Sequence, residues 1–317
     1  MINVLVLSAG RRVELINCFK AARDRLSIEG KVVAADCSEL APALYFADVK
    51  KIVPRISEGF YYIDAIVKIC NEEQIDLIVP TIDTELLLLS ENKLFIETNT
   101  QAKLLLSNDN VIQVCRNKVN TQKFLESYGF KVPRLITNDD LEKKNYSFPL
   151  FIKPLDGSSS INAYKVENED QLRSYLKLID NPMIQECMVG EEYTVDVFLD
   201  FDSNIITAVP RIRLAMRSGE IAKGRIKRDE VIVRDVERLM HALKPIGQIT
   251  VQCMKTDRGV EYIEINPRFG GGAPMSIAAG ADSCENLYRL LMGEELSYRD
   301  DYRDGATFLR FDASIEV

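Results

Sequence analysis

Apolar positions set the first third of the chain apart from the rest. Val4-Leu-Val-Leu7, Val32-Val-Ala-Ala-Asp36 and Asp76-Leu-Ile-Val-Pro80 are short, nearly continuous apolar runs. Between them, the segment reaching Arg25 and the stretch from Tyr61 to Glu73 space their apolar residues like helices. Alternating βα units whose strands are apolar throughout predict a parallel sheet covered on both faces. The loop after the first run, Ser8-Ala-Gly-Arg-Arg12, carries one glycine where a dinucleotide fingerprint needs three. Asp36 at the end of the second run suits a ribose only weakly, so NAD is not expected. Asp83-Thr-Glu85 follows the run at 76–80, where open α/β sheets place ligands, and Asp83 serves equally well as a helix cap.

The pattern then changes. Residues 117–129 read as a helix closed by Gly129 and followed by Val132-Pro133. Phe148 to Lys153 reads as a strand, with Gly157 and Ser158 to Ser160 in a loop of small residues behind the lysine. A lysine at a strand end and a loop rich in N–H and hydroxyl groups suit phosphate oxygens, although a polar hairpin has the same composition. Met183 to Asp196 is read as strand, Gly190 turn and strand, with Glu192, Thr194 and Asp196 on one face. Seven lysines and arginines crowd between Arg211 and Arg228, around a turn at Arg217-Ser-Gly-Glu220. Arg211 and Arg213 share one strand face there; Lys223, Arg225 and Lys227 share another. Such a hairpin is either a guarded sheet edge or an anion clamp. Helices are expected over 229–246 and within 273–293.

The densest chemistry lies in Val260 to Gly272. Alternation puts Tyr262, Glu264 and Asn266 on one strand face, with Ile263 and Ile265 on the other. If Asp257-Arg258-Gly259 is a three-residue hairpin loop, Gln252 on the preceding strand stands opposite Glu264. Three side-chain oxygens then converge, a seat for a hard cation that takes the rest of its shell from phosphate and water. A half-exposed hairpin with polar residues outward is the plainer reading.

Length and composition narrow the function. At 317 residues, with 46% apolar and 28% charged content, two or three soluble globular units are expected. No apolar stretch approaches the roughly 20 residues of a membrane span, and the opening Met-Ile-Asn-Val-Leu-Val-Leu reads as a first strand rather than a charged leader. A formal charge of −8 argues against nucleic acid or an anionic membrane as the main partner. Seven cysteines without a CxxC pair are expected as reduced thiols in the cytoplasm. With one histidine, His241, histidine triads and histidine-rich metal sites are excluded.

The order of these elements resembles the ATP-grasp superfamily of ATP-dependent carboxylate ligases. It runs from Lys118 at a helix start through Lys153 with its small-residue loop and the segment Glu186 to Glu192. It ends in Gln252 and the set Glu264-x-Asn266-Pro-Arg268. Within the superfamily the chain is most similar to one half of the carbamoyl-phosphate synthase large subunit. The resemblance implies a Rossmann-like pre-ATP-grasp domain over 1–112 that binds no dinucleotide. A small lid subdomain over 113–187 and a C-terminal catalytic subdomain over 188–317 would follow. It further implies that Lys118 and Lys153 hold the ATP phosphates under a loop containing Gly157, Ser158, Ser159 and Ile161. Glu186, Cys187 and Met188 would supply the adenine hinge, Glu192 the ribose contact, and Gln252, Glu264 and Asn266 the Mg²⁺ or Mn²⁺ ligands. Arg268 would face a forming acyl phosphate. Arg211, Arg213 and Arg217 would meet a small acid that an amine then attacks, and Asp83 and Glu85, from their place after the run at 76–80, are further candidates to bind it. Phosphoryl transfer of this kind needs positioning and charge neutralisation rather than a protein nucleophile. The expected activity is an ADP-forming carboxylate–amine ligase, possible as a homodimer. Bicarbonate activation, a small-molecule kinase and a nucleotide sensor are the alternatives. Gly270-Gly-Gly272 stands where the synthase carries an arginine-bearing stretch, and one half alone is not expected to make carbamoyl phosphate.

Overall fold

The computed structural model describes residues 1–155, 162–217 and 219–317. Its first unit runs β1 (Val4–Val6), α1 (Val13–Arg25), β2 (Val32–Asp36), β3 (Val49–Ile52), α2 (Phe60–Glu73), β4 (Leu77–Val79), α3 (Asp83–Glu91), α4 (Lys93–Asn99) and β5 (Lys103–Leu104). The five strands form a parallel sheet in the order β3-β2-β1-β4-β5. Both faces are covered, as the unbroken apolar runs predicted. Leu5, Val33 and Ile78 pack under α2 and α3, while Val4, Val32 and Leu77 pack under α1.

The second cluster of elements is α5 (Asp109–Arg116), α6 (Lys118–Ser127), α7 (Asn138–Lys143), β6 (Leu150–Pro154), β7 (Tyr164–Val166), α8 (Glu169–Leu178) and β8 (Pro182–Glu186). Strands β7-β6-β8 make a small antiparallel sheet with its own core of Ile136, Leu150, Ile152, Val166, Leu172 and Ile184. Helix α6, expected from the sequence to belong to this lid, buries Leu125 in the core of the next sheet instead, as α5 does with Val111.

That larger sheet follows as β9 (Glu191–Leu199), β10 (Ile205–Arg217), β11 (Glu220–Ile226), α9 (Glu230–Leu243), β12 (Gly247–Thr256), β13 (Gly259–Asn266), α10 (Ala273–Ala278), α11 (Ser283–Leu291) and β14 (Thr307–Leu309). Its order is β13-β12-β9-β10-β11-β14, antiparallel throughout. Strand β14 pairs along β11, so the basic hairpin is not the guarded edge that its composition allowed. Lys223 and Arg225 face solvent, whereas Arg211 and Arg213 turn inward.

The β12–β13 hairpin reaches the predicted register by another route. Thr256 pairs with Gly259, so the turn has two residues rather than three. A bulge between the Gln252–Glu264 and Cys253–Tyr262 pairs then adds the missing residue and brings Gln252 opposite Glu264. The same bulge breaks the expected alternation. Tyr262 joins Ile265 in the hydrophobic core, edge-on to Phe130 at 5.5 Å, and does not share a face with Glu264.

The first unit is not a free-standing appendage. Phe269, just past β13, meets Phe19 of α1 edge-on at 5.9 Å, and Tyr288 of α11 meets the same ring at 6.2 Å. Among the described residues no helix is long and apolar enough to cross a membrane.

Candidate active site

Two cavities meet at the Gln252–Glu264 pair. The first, about 420 Å³, lies between the small sheet and β12–β13. Phe151, Met188, Met254 and Ile263 give it apolar walls, and Lys118, Lys153, Glu186 and Glu192 give it polar ends. The second, about 380 Å³, lies between the large sheet and the carboxyl ends of the parallel strands. Arg213, Gln252 and Glu264 line both.

Lys118 is the first residue of α6, where the Asn117 side chain accepts from Val119 and Asn120 N–H groups as N-cap. Its Nζ donates to the Leu155 carbonyl at 2.9 Å, which fixes it over the end of β6. Lys153 projects from that strand into the first cavity. Burial pushes its ammonium down to about 8; Glu264 pulls it up and Lys118 pushes it further down. Gly157, Ser158, Ser159 and Ile161 lie outside the described residues. Glu186 pairs with Arg258 at 3.3 Å, and its N–H donates to the Arg134 carbonyl. The Cys187 N–H donates to the Pro149 carbonyl at 3.3 Å, so only the Met188 N–H of the expected hinge has no such bond among the described residues. Glu192 forms an ion pair with Arg213 at 3.2 Å.

At the junction, Asn266 is buried and its Oδ1 accepts from Arg268 Nη2 at 3.1 Å. Arg268 also clamps Asp83, with Nε 3.1 Å from both carboxylate oxygens. Asp83 opens α3 without capping it. Its role in the structure is to tie Arg268 to the parallel-sheet unit. No cluster of three or more His, Cys, Asp or Glu side chains fit for a metal exists among the described residues. The Gln252, Glu264 and Asn266 set contains one carboxylate, which fits Mg²⁺ only where phosphate and water complete the shell.

Two expected contacts are corrected. Glu85 is fully buried, accepting from Ser8 Oγ and Tyr62 Oη at 2.7 Å and from the Thr81 N–H at 2.8 Å. It braces the loop after β1 against α3 and does not reach a cavity. Arg217 is exposed and pairs with Asp312 outside both cavities. Its strand shifts register twice, between Arg213, Ala215 and Met216, and these bulges turn its end away.

Other groups were not singled out. Asp196 is 1% exposed; its carboxylate accepts from Arg211 Nε at 2.8 Å and Ser276 Oγ at 2.7 Å. It lies on the face read as polar and outward. Arg12 lines the second cavity from the loop after β1, with Nη2 donating to the Thr81 carbonyl at 3.2 Å. Arg116 at the end of α5 lines it too. The position of Arg12 at a strand's carboxyl end was the available signal. The glycine run has a steric reason: a Cβ on Gly272 would stand 2.5 Å from Arg211 Nη2, and one on Gly270 would stand 2.6 Å from Thr250 Oγ1.

A cleft between a small antiparallel lid and a larger antiparallel sheet, with lysines on one side and Glu-x-Asn-Pro-Arg on the other, defines an ATP-grasp architecture. Residues 115–272 match the family model for the ATP-grasp domain, and residues 4–102 match that of the PylC-like N-terminal domain. The chain belongs to the ATP-grasp superfamily. It is similar to a carbamoyl-phosphate synthase of Methanobrevibacter smithii, 24% identical over 170 residues, covering 52% of this chain and 45% of that protein. A D-alanine–D-alanine ligase of Fusobacterium nucleatum is 26% identical over 99 residues, 31% of this chain and 33% of the ligase. The chain thus spans less than half the length of these two relatives. Among solved structures, biotin carboxylase from Campylobacter jejuni shares the fold with a TM-score of 0.72 at 17% identity, over 97% of this chain and 74% of that one. N5-carboxyaminoimidazole synthetase from Staphylococcus aureus in complex with ADP does so with a TM-score of 0.72 at 18% identity, over 94% and 79%.

Proposed function

We propose that this protein is an ADP-forming ligase that activates a small carboxylate with ATP and passes the acyl group to an amine or similar nucleophile. The observation that carries this reading is the junction of the two cavities. An apolar chamber sized for a purine nucleotide opens, through Gln252 and Glu264, onto a chamber lined with arginines. In the first chamber Met188 and the neighbouring carbonyls would meet adenine, Glu192 the ribose, and Lys118 and Lys153 the phosphates. Gln252, Glu264 and Asn266 would hold Mg²⁺, which lowers the cost of gathering negative charge at the transferring phosphoryl group. Arg268, fixed by Asp83, presents its charge at the same place. The acid's carboxylate oxygen attacks the γ-phosphorus, the bond to the β–γ bridging oxygen breaks, and ADP leaves. The amine then adds to the acyl carbon, loses a proton and expels phosphate. Seven free cysteines, one of them the exposed Cys37, suit a reducing compartment such as the cytoplasm.

The test is interception of the acyl phosphate. With ATP, Mg²⁺ and a panel of acids, hydroxylamine should yield a hydroxamate with ADP as co-product, and Glu264→Gln should lower the yield by at least about tenfold. AMP with pyrophosphate would refute the mechanism. A stable phosphorylated product formed without hydroxylamine or amine would make the protein a kinase.

A further inference from the structure

The second cavity holds more positive charge than activation of a simple acid requires. Among the described residues, five guanidinium groups line it, those of Arg12, Arg116, Arg211, Arg213 and Arg268, against the three carboxylates of Asp83, Glu220 and Glu264. Arg213 and Glu264 sit at the junction with the nucleotide chamber, and Arg268 is held by Asp83 beside Asn266. Arg12 and Arg211 line only the second chamber.

These two have unspent hydrogen-bonding capacity. Arg211 is 2% exposed, and although Nε is bonded to Asp196, its Nη1 is buried with no hydrogen-bond partner among the described residues. Asp196 pairs with Arg211 through Nε and also accepts from Ser276, and neither contact gives Nη1 an acceptor. A buried donor left unpaired is costly, and nature retains one where something else completes it. Arg12 has no ion pair among the described residues. Its two nearest carboxylates are engaged elsewhere, Asp83 with Arg268 and Glu220 with Arg310 at 3.0 Å. Burial, then the nearby Arg268 charge, lowers the pKa of Arg12; Glu220 and Asp83 act against them. The glycine run brings the two groups to one wall. A Cβ on Gly271 would lie 3.1 Å from Arg12 Nη1, and one on Gly272 would lie 2.8 Å from the orphaned Arg211 Nη1.

We propose that Arg12 and Arg211 seat a second anionic group, so that the acid activated here is a small one with two anionic ends, a dianion where both are carboxylates and close to a trianion where the second is a phosphate. One carboxylate meets Arg268 and the Gln252–Glu264 junction, and a second carboxylate or a phosphate rests against the Gly271–Gly272 wall. Among the described residues, Ile82 and Ile221 are the only large apolar ones on the cavity lining, which favours a polar connection between the two anionic ends. The assignment of the first carboxylate rests on the ligase reading; the anion seat does not.

The test is calorimetry on the full chain without nucleotide, using succinate, glutarate and 3-phosphoglycerate, with butyrate as the length-matched monoanion of succinate. At least one of these three doubly anchored acids, called dianions below for their two anionic ends, should bind about tenfold or more tightly than butyrate, the scale of one charge-assisted hydrogen bond. Preference for the dicarboxylates or for 3-phosphoglycerate identifies the second group. Arg12→Gln keeps a donor for the Thr81 carbonyl and removes the charge. It should abolish the dianion advantage without lowering the thermal midpoint, and Arg12→Lys should restore part of it. Failure of every dianion to outbind butyrate overturns the proposal, as does an advantage that survives Arg12→Gln in a folded variant. ADP release is followed separately. Turnover of butyrate as readily as of the dianions would leave a ligase without the second seat. A dianion advantage with no ADP from any acid would leave the seat and remove the ligase.

Discussion

Replacing Lys153 by methionine should make the nucleotide-free protein more stable while weakening its hold on ATP. Burial keeps the Lys153 ammonium at about 8 instead of 10.5. A lysine whose folded-state pKa lies below its unfolded value is one whose proton the fold disfavours. Below pH 8 both states carry that proton, and the fold bears the whole cost, at most about 3 kcal/mol. Between 8 and 10.5 the unfolded chain still holds a proton that the folded chain has released, so stability rises with pH. Above 10.5 the cost is gone. Methionine fills similar space without the charge and has no such dependence. Urea denaturation should therefore find Lys153→Met more stable than wild type at about pH 7, by up to about 3 kcal/mol, with the gap closing toward pH 10. Calorimetric ATP affinity should fall about 10- to 100-fold in the variant, and wild-type affinity should itself decline as pH rises past 8. A variant less stable than wild type near neutrality, with ATP affinity intact, would refute both the buried charge and its phosphate role.

Two further substitutions probe the architecture around the site. Arg211→Met strands the Asp196 carboxylate in the core, and denaturation should show a loss of about 3–5 kcal/mol. Adding Asp196→Leu should return much of it without restoring acid binding, and a single variant as stable as wild type would contradict the buried pair. Gly190→Ala places a methyl group against the Lys255 carbonyl, so a loss of about 1–3 kcal/mol is expected, with weaker ATP binding because Met188 is two residues away. Unchanged melting and affinity would mean that the hinge gives way freely.

The parallel sheet was plain in the sequence because its strands are apolar on both faces, a pattern that polar edges cannot imitate. Lys118 and Lys153 were legible from local signals, a helix start and a strand end. The Gln252–Glu264 pairing was anticipated through an error that the bulge happens to correct, and the same bulge defeated the prediction for Tyr262. Glu85 and Arg217 failed for a related reason: alternation and spacing say which face a residue leaves from, not what encloses it. Arg12 and Asp196 were out of reach because their partners lie far along the chain. Asp196 meets Ser276 across 80 positions, and Arg12 approaches Gly271 only once α10 and α11 have packed on α1.

The packing of Phe269 on Phe19 has a consequence for recombination among relatives. Arg268 is gripped by Asp83, and Arg12 reaches the arginine-lined chamber from the loop after β1, so the first hundred residues furnish part of the wall of the chamber proposed for the acid. The lysines and the Gln252–Glu264 pair come from the remainder. A chimera that imports this unit from a relative should inherit the donor's choice of acid while keeping the recipient's handling of nucleotide. It will fold only if the grafted α1 offers an aromatic ring, or a group of equal bulk, where Phe19 now stands.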